Sequence, residues 1–188
     1  YTIALCNEFL RNAGDEQISK FAESDQADIR TYRAEARFLR ALAYYHALDL
    51  FRNIPFVTEN DPVGSFIPPR YTGTQVFSYI ESELTAIEEV LPSRGEAEYG
   101  RVSQAAAYTL LAKLYLNAKV YTGTERYTDC ITYCKKVIAQ GYTLEPEYAK
   151  LFNADNHKRT NEIILPLTVD AEHTVSWGAT TYIICGEV

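Results

Sequence analysis

The run from Tyr32 to Val57, YRAEARFLRALAYYHALDLFRNIPFV, leaves the chain few options. Its apolar residues recur three or four apart for too long to be anything but a helix. That helix is expected to start near Asp28, whose side chain can cap free amides, and to end at Asn53 and Pro55. Ile29, Tyr32, Ala36, Leu39, Leu42, Ala43, His46, Ala47 and Leu50 form its main apolar stripe. Phe38, Tyr45 and Leu48 widen the stripe, which predicts a helix packed on two sides.

Other segments repeat the pattern. Ile3, Cys6, Phe9, Leu10 and Ala13 predict a first helix over 2–13, closed by Gly14, with a polar connection over 15–25. Between Phe56 and Tyr71, Pro62, Pro68 and Pro69 remove amide donors, so this stretch is neither helix nor central strand. A helix then starts after Thr74, with Phe77, Ile80, Leu84, Ile87 and Leu91 inward and Pro92 as its stop. Glu81, Glu88 and Glu89 are expected on its wet face. Ser103 is expected to cap the next helix, whose inner face is Ala107, Leu110, Leu111, Leu114, Tyr115 and Ala118, and Ala105–Ala107 let a neighbour come close. A further helix from about Thr124 would pack through Tyr127, Ile131, Cys134, Val137 and Ile138 and end at Gly141.

Tyr108, Leu111, Ala112 and Tyr115 have the large, large, small, large spacing of a tetratricopeptide first helix, and Tyr127, Ile131 and Cys134 fit its second. Leu39, Leu42, Ala43 and His46 echo the first-helix pattern. Two pairs in succession, about 28–91 and 102–140, predict an all-α helical-repeat fold over 1–141. From 142 to 188 the texture is irregular: a short turn near Glu147–Phe152, and two runs, Ile163–Val169 and Thr180–Cys185, read as strands or extended edges. Two such runs cannot build an independent sheet, so the segment is expected to lie on the helices or continue into further chain.

Composition narrows the function. A formal net charge of −7, without a visible Lys/Arg cluster, argues against nonspecific nucleic-acid binding. Fifteen tyrosines against one tryptophan suit layered helices with half-buried faces, and also suit sugar binding. No apolar run reaches the length of a membrane span. The chain opens on Tyr1 without a visible secretory leader, which leaves its compartment open. Cys6, Cys130, Cys134 and Cys185 match no metal spacing. Cys130 and Cys134, one helical turn apart, are expected to be core thiols.

Catalytic chemistry finds no support. His46, His157 and His173 are scattered, and His46 reads as a packed imidazole at the repeat's aromatic position. Glu88 and Glu89 point in different directions, against glycosidase work. There is no phosphate loop, nucleophile elbow or nucleotide fingerprint, and no cofactor is implied. Glu35 and Arg37 do not share a helix face, whereas Arg33 and Arg37 do; Arg37 is expected to fix a salt bridge or remain solvated. The polar stretch NADNHKRTNE suits side-chain turns and caps first, and can also hydrogen-bond sugar hydroxyls.

Four segments in order, AEARFLRALAYYHALDLFRNIPFV, YIESELTAIEEVLP, YGRVSQAAAYTLLAKLYLNAKVYTG and NEIILPL, together resemble the SusD/RagB family of outer-membrane nutrient-binding lipoproteins. The resemblance runs from about Asn7 to Gly186. It implies tetratricopeptide-like helix pairs and noncatalytic binding of glycans or oligosaccharides at the bacterial surface. It also implies delivery to a partner barrel, a TonB-dependent SusC-like transporter. Family members are usually much longer, and attach to the membrane through a lipidated N-terminal cysteine; none of the four cysteines here follows that pattern. Glu35, Arg37, Tyr44, Pro55, Arg101, Tyr115, Asn161 and Glu162 match the family pattern and are expected to serve as scaffold. His46 stands where members often carry another large group. Tyr71, Asn156 and Trp177 are the candidate ligand contacts, chosen as exposed aromatic or polar groups. The alternative is a helical-repeat module that binds a protein or peptide and has no sugar site of its own.

Overall fold

The computed structural model describes residues 1–169, together with Glu172 and Thr174. Seven α-helices among them form an all-α array: α1 (Thr2–Asn12), α2 (Asp15–Ile18), α3 (Glu23–Phe51), α4 (Gly73–Ile87), α5 (Gln104–Leu116), α6 (Ala118–Thr122) and α7 (Tyr127–Ala139). Helix α3 lies between α1 and α4, and α5 pairs with α7 while touching α4. Two helix pairs thus follow one another, α3 with α4 and α5 with α7.

Helix α3 begins at Glu23, five residues before the expected cap, so Asp28 lies within it. Glu23 and Asp25 in its first turn suit the positive end of the helix dipole. Arg52, at a positive φ of 60°, ends the helix as its amide bonds the Leu48 carbonyl. Helix α4 begins two residues earlier than the sequence reading, after Thr72 rather than Thr74. Thr72 and Gln75 form a reciprocal capping box, and the Asn53 side chain accepts the Gly73 amide at 3.0 Å. Its expected inner residues Phe77, Ile80, Leu84 and Ile87 are all buried, with Val76 beside them. Each such side chain contributes about 1.5–3 kcal/mol of burial. Leu91 is also buried, beyond the helix end.

Between α3 and α4 the chain makes its proline-rich excursion. Its base is a two-residue antiparallel ladder, Ile54 against Tyr71 and Pro55 against Arg70, here β1 (Ile54–Pro55) and β2 (Arg70–Tyr71). The Tyr44 hydroxyl donates to the Val57 carbonyl at 2.5 Å and accepts from the Val57 amide at 3.0 Å. Phe56 stacks on Tyr44 at 4.8 Å and on Tyr71 at 4.0 Å, fastening the excursion to α3.

Several expected faces are rotated. The buried line of α3 is Ala34, Phe38, Ala41, Tyr44 and Leu48, with Glu35 and Arg40 beside it, whereas Tyr32, Leu39, His46 and Leu50 face outward. On α7, Tyr127, Ile131, Cys134 and Ile138 are exposed, not inward. The helix meets α5 through Cys130 and through Tyr133, whose ring packs on Tyr108 and Tyr115. Glu81 and Glu88 are not wet: Glu81 accepts from Tyr115 at 2.7 Å and Arg126 at 2.9 Å, and Glu88 accepts from Lys136 at 3.0 Å. Phe9 of α1 is half-exposed while Asn7 is buried. Gly14 takes an extended conformation as the cap of α2, a short helix inside the expected polar connection. Ser103 does precede α5, yet its side chain makes no capping bond.

The described part of the C-terminal stretch contains two 3-10 turns, Tyr148–Phe152 and Asn156–Lys158. Residues 163–169 are irregular and join no ladder among the described residues, so of the two expectations, strand or extended edge, the strand is not formed there. Ile164 and Leu165 pack onto the helical core. The run 180–185 and Cys185 lie outside the described residues.

Candidate functional site

The connection from α4 to α5, residues 92–103, is organised by local chemistry. Pro92 cannot extend a helix; Ser93 then binds the Glu96 carboxylate through its hydroxyl at 2.8 Å and its amide at 3.1 Å. Those two bonds hold the Glu96 carboxyl below its ordinary range. Gly100 turns the chain at φ 85°, where a side chain would be strained. Arg101 then reaches back to α3, donating to both oxygens of buried Glu35, whose Oε1 also accepts the Val102 amide at 3.3 Å. The Gln104 amide closes the loop on the Pro92 carbonyl at 2.9 Å.

Arg94 gathers the other wall. Its guanidinium bonds the Gly141 carbonyl and those of Thr160 and Asn161 at 3.4 Å, and lies 4.1 Å from the Tyr142 ring centroid. Asn161 pairs with Thr143, its carbonyl accepting the Thr143 amide at 3.0 Å, and Glu162 accepts the Glu145 amide at 2.7 Å. A cavity of about 250 Å³ opens between these walls, bordered by Tyr99, Arg101, Ser103, Tyr142 and Thr160. A second, of about 280 Å³, adjoins it through Ala97, Glu98 and Arg101 and reaches Tyr32 on α3. Tyr99 and Tyr32 are 48% and 43% exposed, and the Arg101 guanidinium sits 4.7 Å over the Tyr32 ring. Ser103 is 2% exposed, and its hydroxyl has no partner among the described residues. Aromatic faces, fixed guanidiniums and short polar groups along one groove suit a hydroxyl-rich ring, which presents C–H and O–H surfaces together.

The residues singled out from sequence divide clearly. Arg37 holds Glu83 through both oxygens, at 3.1 and 2.9 Å. Glu35, Tyr44, Arg101, Tyr115, Asn161 and Glu162 are each bonded within the chain, and Pro55 is the exposed residue of β1. Tyr71 is half-buried with one face against Phe56, and Asn156 is exposed at the start of a 3-10 turn; neither borders the groove. Trp177 and His173 lie outside the described residues.

Sequence reasoning missed an ionic centre beneath the excursion. Arg40 is 2% exposed, yet it donates to Asn7 at 2.7 Å, Glu83 at 2.9 Å and Glu59. Burial pushes the Glu83 carboxyl up, but the bonds and charges of Arg37 and Arg40 outweigh it and hold the group low. Burial, with Glu83 nearby, pushes the Tyr79 phenol far up, keeping it neutral. On the other side of α3, Arg30, Arg33 and Arg37 border one cavity, a basic cluster that the linear reading did not find. Among the described residues, no group of three or more His, Cys, Asp and Glu is placed to hold a metal, and no helix is long and apolar enough to cross a membrane.

A SusD-like family model, described as "Starch-binding associating with outer membrane", matches residues 7–116. The chain belongs to the SusD-like family. The starch-binding protein SusD of Bacteroides thetaiotaomicron is 42% identical over 163 residues, covering 85% of this chain and 29% of that relative. Among solved structures, a laminarin-binding SusD-like protein superposes with a TM-score of 0.74 at 26% identity, over 94% of this chain and 37% of its own. Surface glycan-binding protein A from Bacteroides uniformis gives 0.69 at 28% identity, over 87% and 35%. The chain spans under a third of the length of the curated relatives it matches. SusD-like proteins are noncatalytic binding proteins of the outer-membrane surface, and the helical-repeat architecture seen here is theirs.

Proposed function

We propose that this chain is part of a surface receptor that binds oligosaccharides and passes them to a TonB-dependent SusC-like transporter. The observation that carries the reading is the groove above α3. Tyr32, Tyr99 and Tyr142 border it, with Arg94 and Arg101 held in place and the Ser103 hydroxyl unpartnered among the described residues. A sugar ring stacked on a tyrosine would bring its hydroxyls to Glu98, Thr160 and Ser103. The relatives named for starch, laminarin and surface glycans support the same class of ligand. Calorimetric titration with neutral glucan hexamers, α- and β-linked, is expected to show binding that weakens about tenfold in Tyr99→Ala or Tyr142→Ala. Absence of heat with every glycan tried would sink the reading. Tyr71→Ala and Asn156→Ala in the same series test whether those two groups also touch the ligand.

A second reading, a protein-interaction module, draws on the outer stripe of α7. Tyr127, Ile131 and Ile138 are 46%, 56% and 73% exposed along one face. Capture of a peptide or barrel loop that survives loss of the groove tyrosines would favour it.

A further inference from the structure

Helix α3 borders two cavities, one on each side of its N-terminal half. The groove above takes residues 28, 31, 32 and 35, and the other takes 30, 33, 34 and 37. The second cavity, about 220 Å³, is of different chemistry: Arg30, Arg33 and Arg37 converge on it, over a floor of Ala34, Ile87 and Val90. Spacings of three and four residues place the three guanidiniums on one helix face. On a chain whose formal charge is −7, such a gathering runs against the average.

The counter-charges are incomplete. Arg30 is exposed and has no hydrogen bond or ion pair among the described residues. Arg33 is held at 2.5 Å by Asp15, whose side chain is 82% exposed, a pairing that water already weakens. Arg37 shares Glu83 with Arg40, and Arg40 also takes Glu59. Four guanidiniums (Arg30, Arg33, Arg37 and Arg40) therefore face three carboxylates (Asp15, Glu59 and Glu83). One positive charge is left over, and it sits at the mouth of the cavity on Arg30.

We infer that the Arg30–Arg33–Arg37 cavity is a subsite for the anionic substituent of an acidic sugar, a uronate carboxylate or a sulfate ester. Guanidinium forks match the planar or tetrahedral oxygens of such groups with paired, charge-assisted bonds. Ile87 and Val90 would receive the C–H face of the ring that carries the substituent. The exposed Asp15 is displaced from Arg33 by the ligand at small cost, because an exposed ion pair contributes little. This inference rests on the reading of the chain as an oligosaccharide binder, and extends it from neutral to charged glycans.

The test is calorimetry of the whole chain with three hexasaccharides: a (1→4)-linked galacturonate, a sulfated galactan fragment and an uncharged glucan. Binding of one or both acidic oligomers is expected to weaken about tenfold in Arg30→Gln, and further in Arg30→Gln/Arg33→Gln. It should also fall as salt rises from 50 to about 300 mM, whereas binding of the glucan stays unchanged by either. The uronate and sulfate arms separate the two anions. Acidic oligomers bound equally well by wild type and the double variant, or not bound while the glucan is, would overturn the subsite and leave the glycan reading standing. Silence from all three oligomers would overturn both. Since Arg30 is exposed and unpaired, the single variant should fold as wild type, which a thermal melt verifies.

Discussion

Arg40 shows what one residue contributes when its charge is buried and paired with two carboxylates. Arg40→Ala would leave Glu59, 29% exposed, without its cation and the more deeply buried Glu83 with Arg37 alone. Urea unfolding should then register a loss of about 3–5 kcal/mol. Arg101, which pairs with Glu35 in the same manner but has 40% of its side chain exposed, should cost less, about 1–2 kcal/mol as Arg101→Ala. Glu83 adds a pH signature. Its folded carboxyl is held below the ordinary 4.5, so its contribution is complete above that pH and is lost as pH falls through the depressed value. Wild-type stability should therefore decline more steeply below pH 4.5 than that of Glu83→Gln; identical slopes would assign the acid loss to other carboxylates. Arg37 is visible in the sequence as a candidate for a fixed pair, and Glu35 as scaffold through the family resemblance. Arg40, Glu59 and Glu83 are not, since Arg40's acidic partners lie 19 and 43 residues away and no local pattern separates a buried charge from a solvated one.

At the level of single helices, periodicity located the elements better than it oriented them. The inner face of helix α4 is legible because its buried apolar side chains, Val76, Phe77, Ile80, Leu84 and Ile87, fall on a single stripe. Helices α3 and α7 each carry two apolar stripes. On α3 the sequence reading takes the outer one as the main stripe, with the buried Phe38 and Leu48 only widening it; on α7 it takes the outer one. On α7 the choice was decided by Tyr133 and Lys136, which meet the rings of α5, rather than by the aliphatic Ile131 and Ile138. Two substitutions test that orientation by thermal or urea unfolding. Ile131→Lys should change stability by no more than about 0.5 kcal/mol, while Leu111→Ala in the fully buried face of α5 should lose about 2–5 kcal/mol. Thr72→Ala, which removes half of the α4 capping box, should cost about 1 kcal/mol.

For the molecule as a whole, the all-α repeat architecture was legible because helix lengths, proline stops and the two paired patterns are local properties of the chain. The groove was not. It is assembled from residues 28–35, 92–103 and 142–166, and its Tyr32, Arg94 and Tyr142 are brought together only when α3, the α4–α5 connection and the end of α7 meet. Tyr71, an aromatic candidate chosen for local chemistry, lies elsewhere, and Trp177 lies outside the described residues. Tyr71 belongs to the packing that holds the excursion on α3.

That excursion leaves and rejoins the helices at the same two-residue ladder, with Tyr44 and Phe56 clamping its entry and Asn53 gripping the start of α4. Beyond Asp61 its residues are poorly anchored, and Val63 and Ile67 are 78% and 95% exposed. With the ends pinned, doubling such a loop adds only about 0.6 kcal/mol of closure entropy. Six glycine- and serine-rich residues inserted after Gly64 should therefore leave the unfolding midpoint nearly unchanged. The ladder acts as a socket: evolution or an engineer can exchange the crown of this loop, in length and in sequence, without renegotiating the helices that carry it.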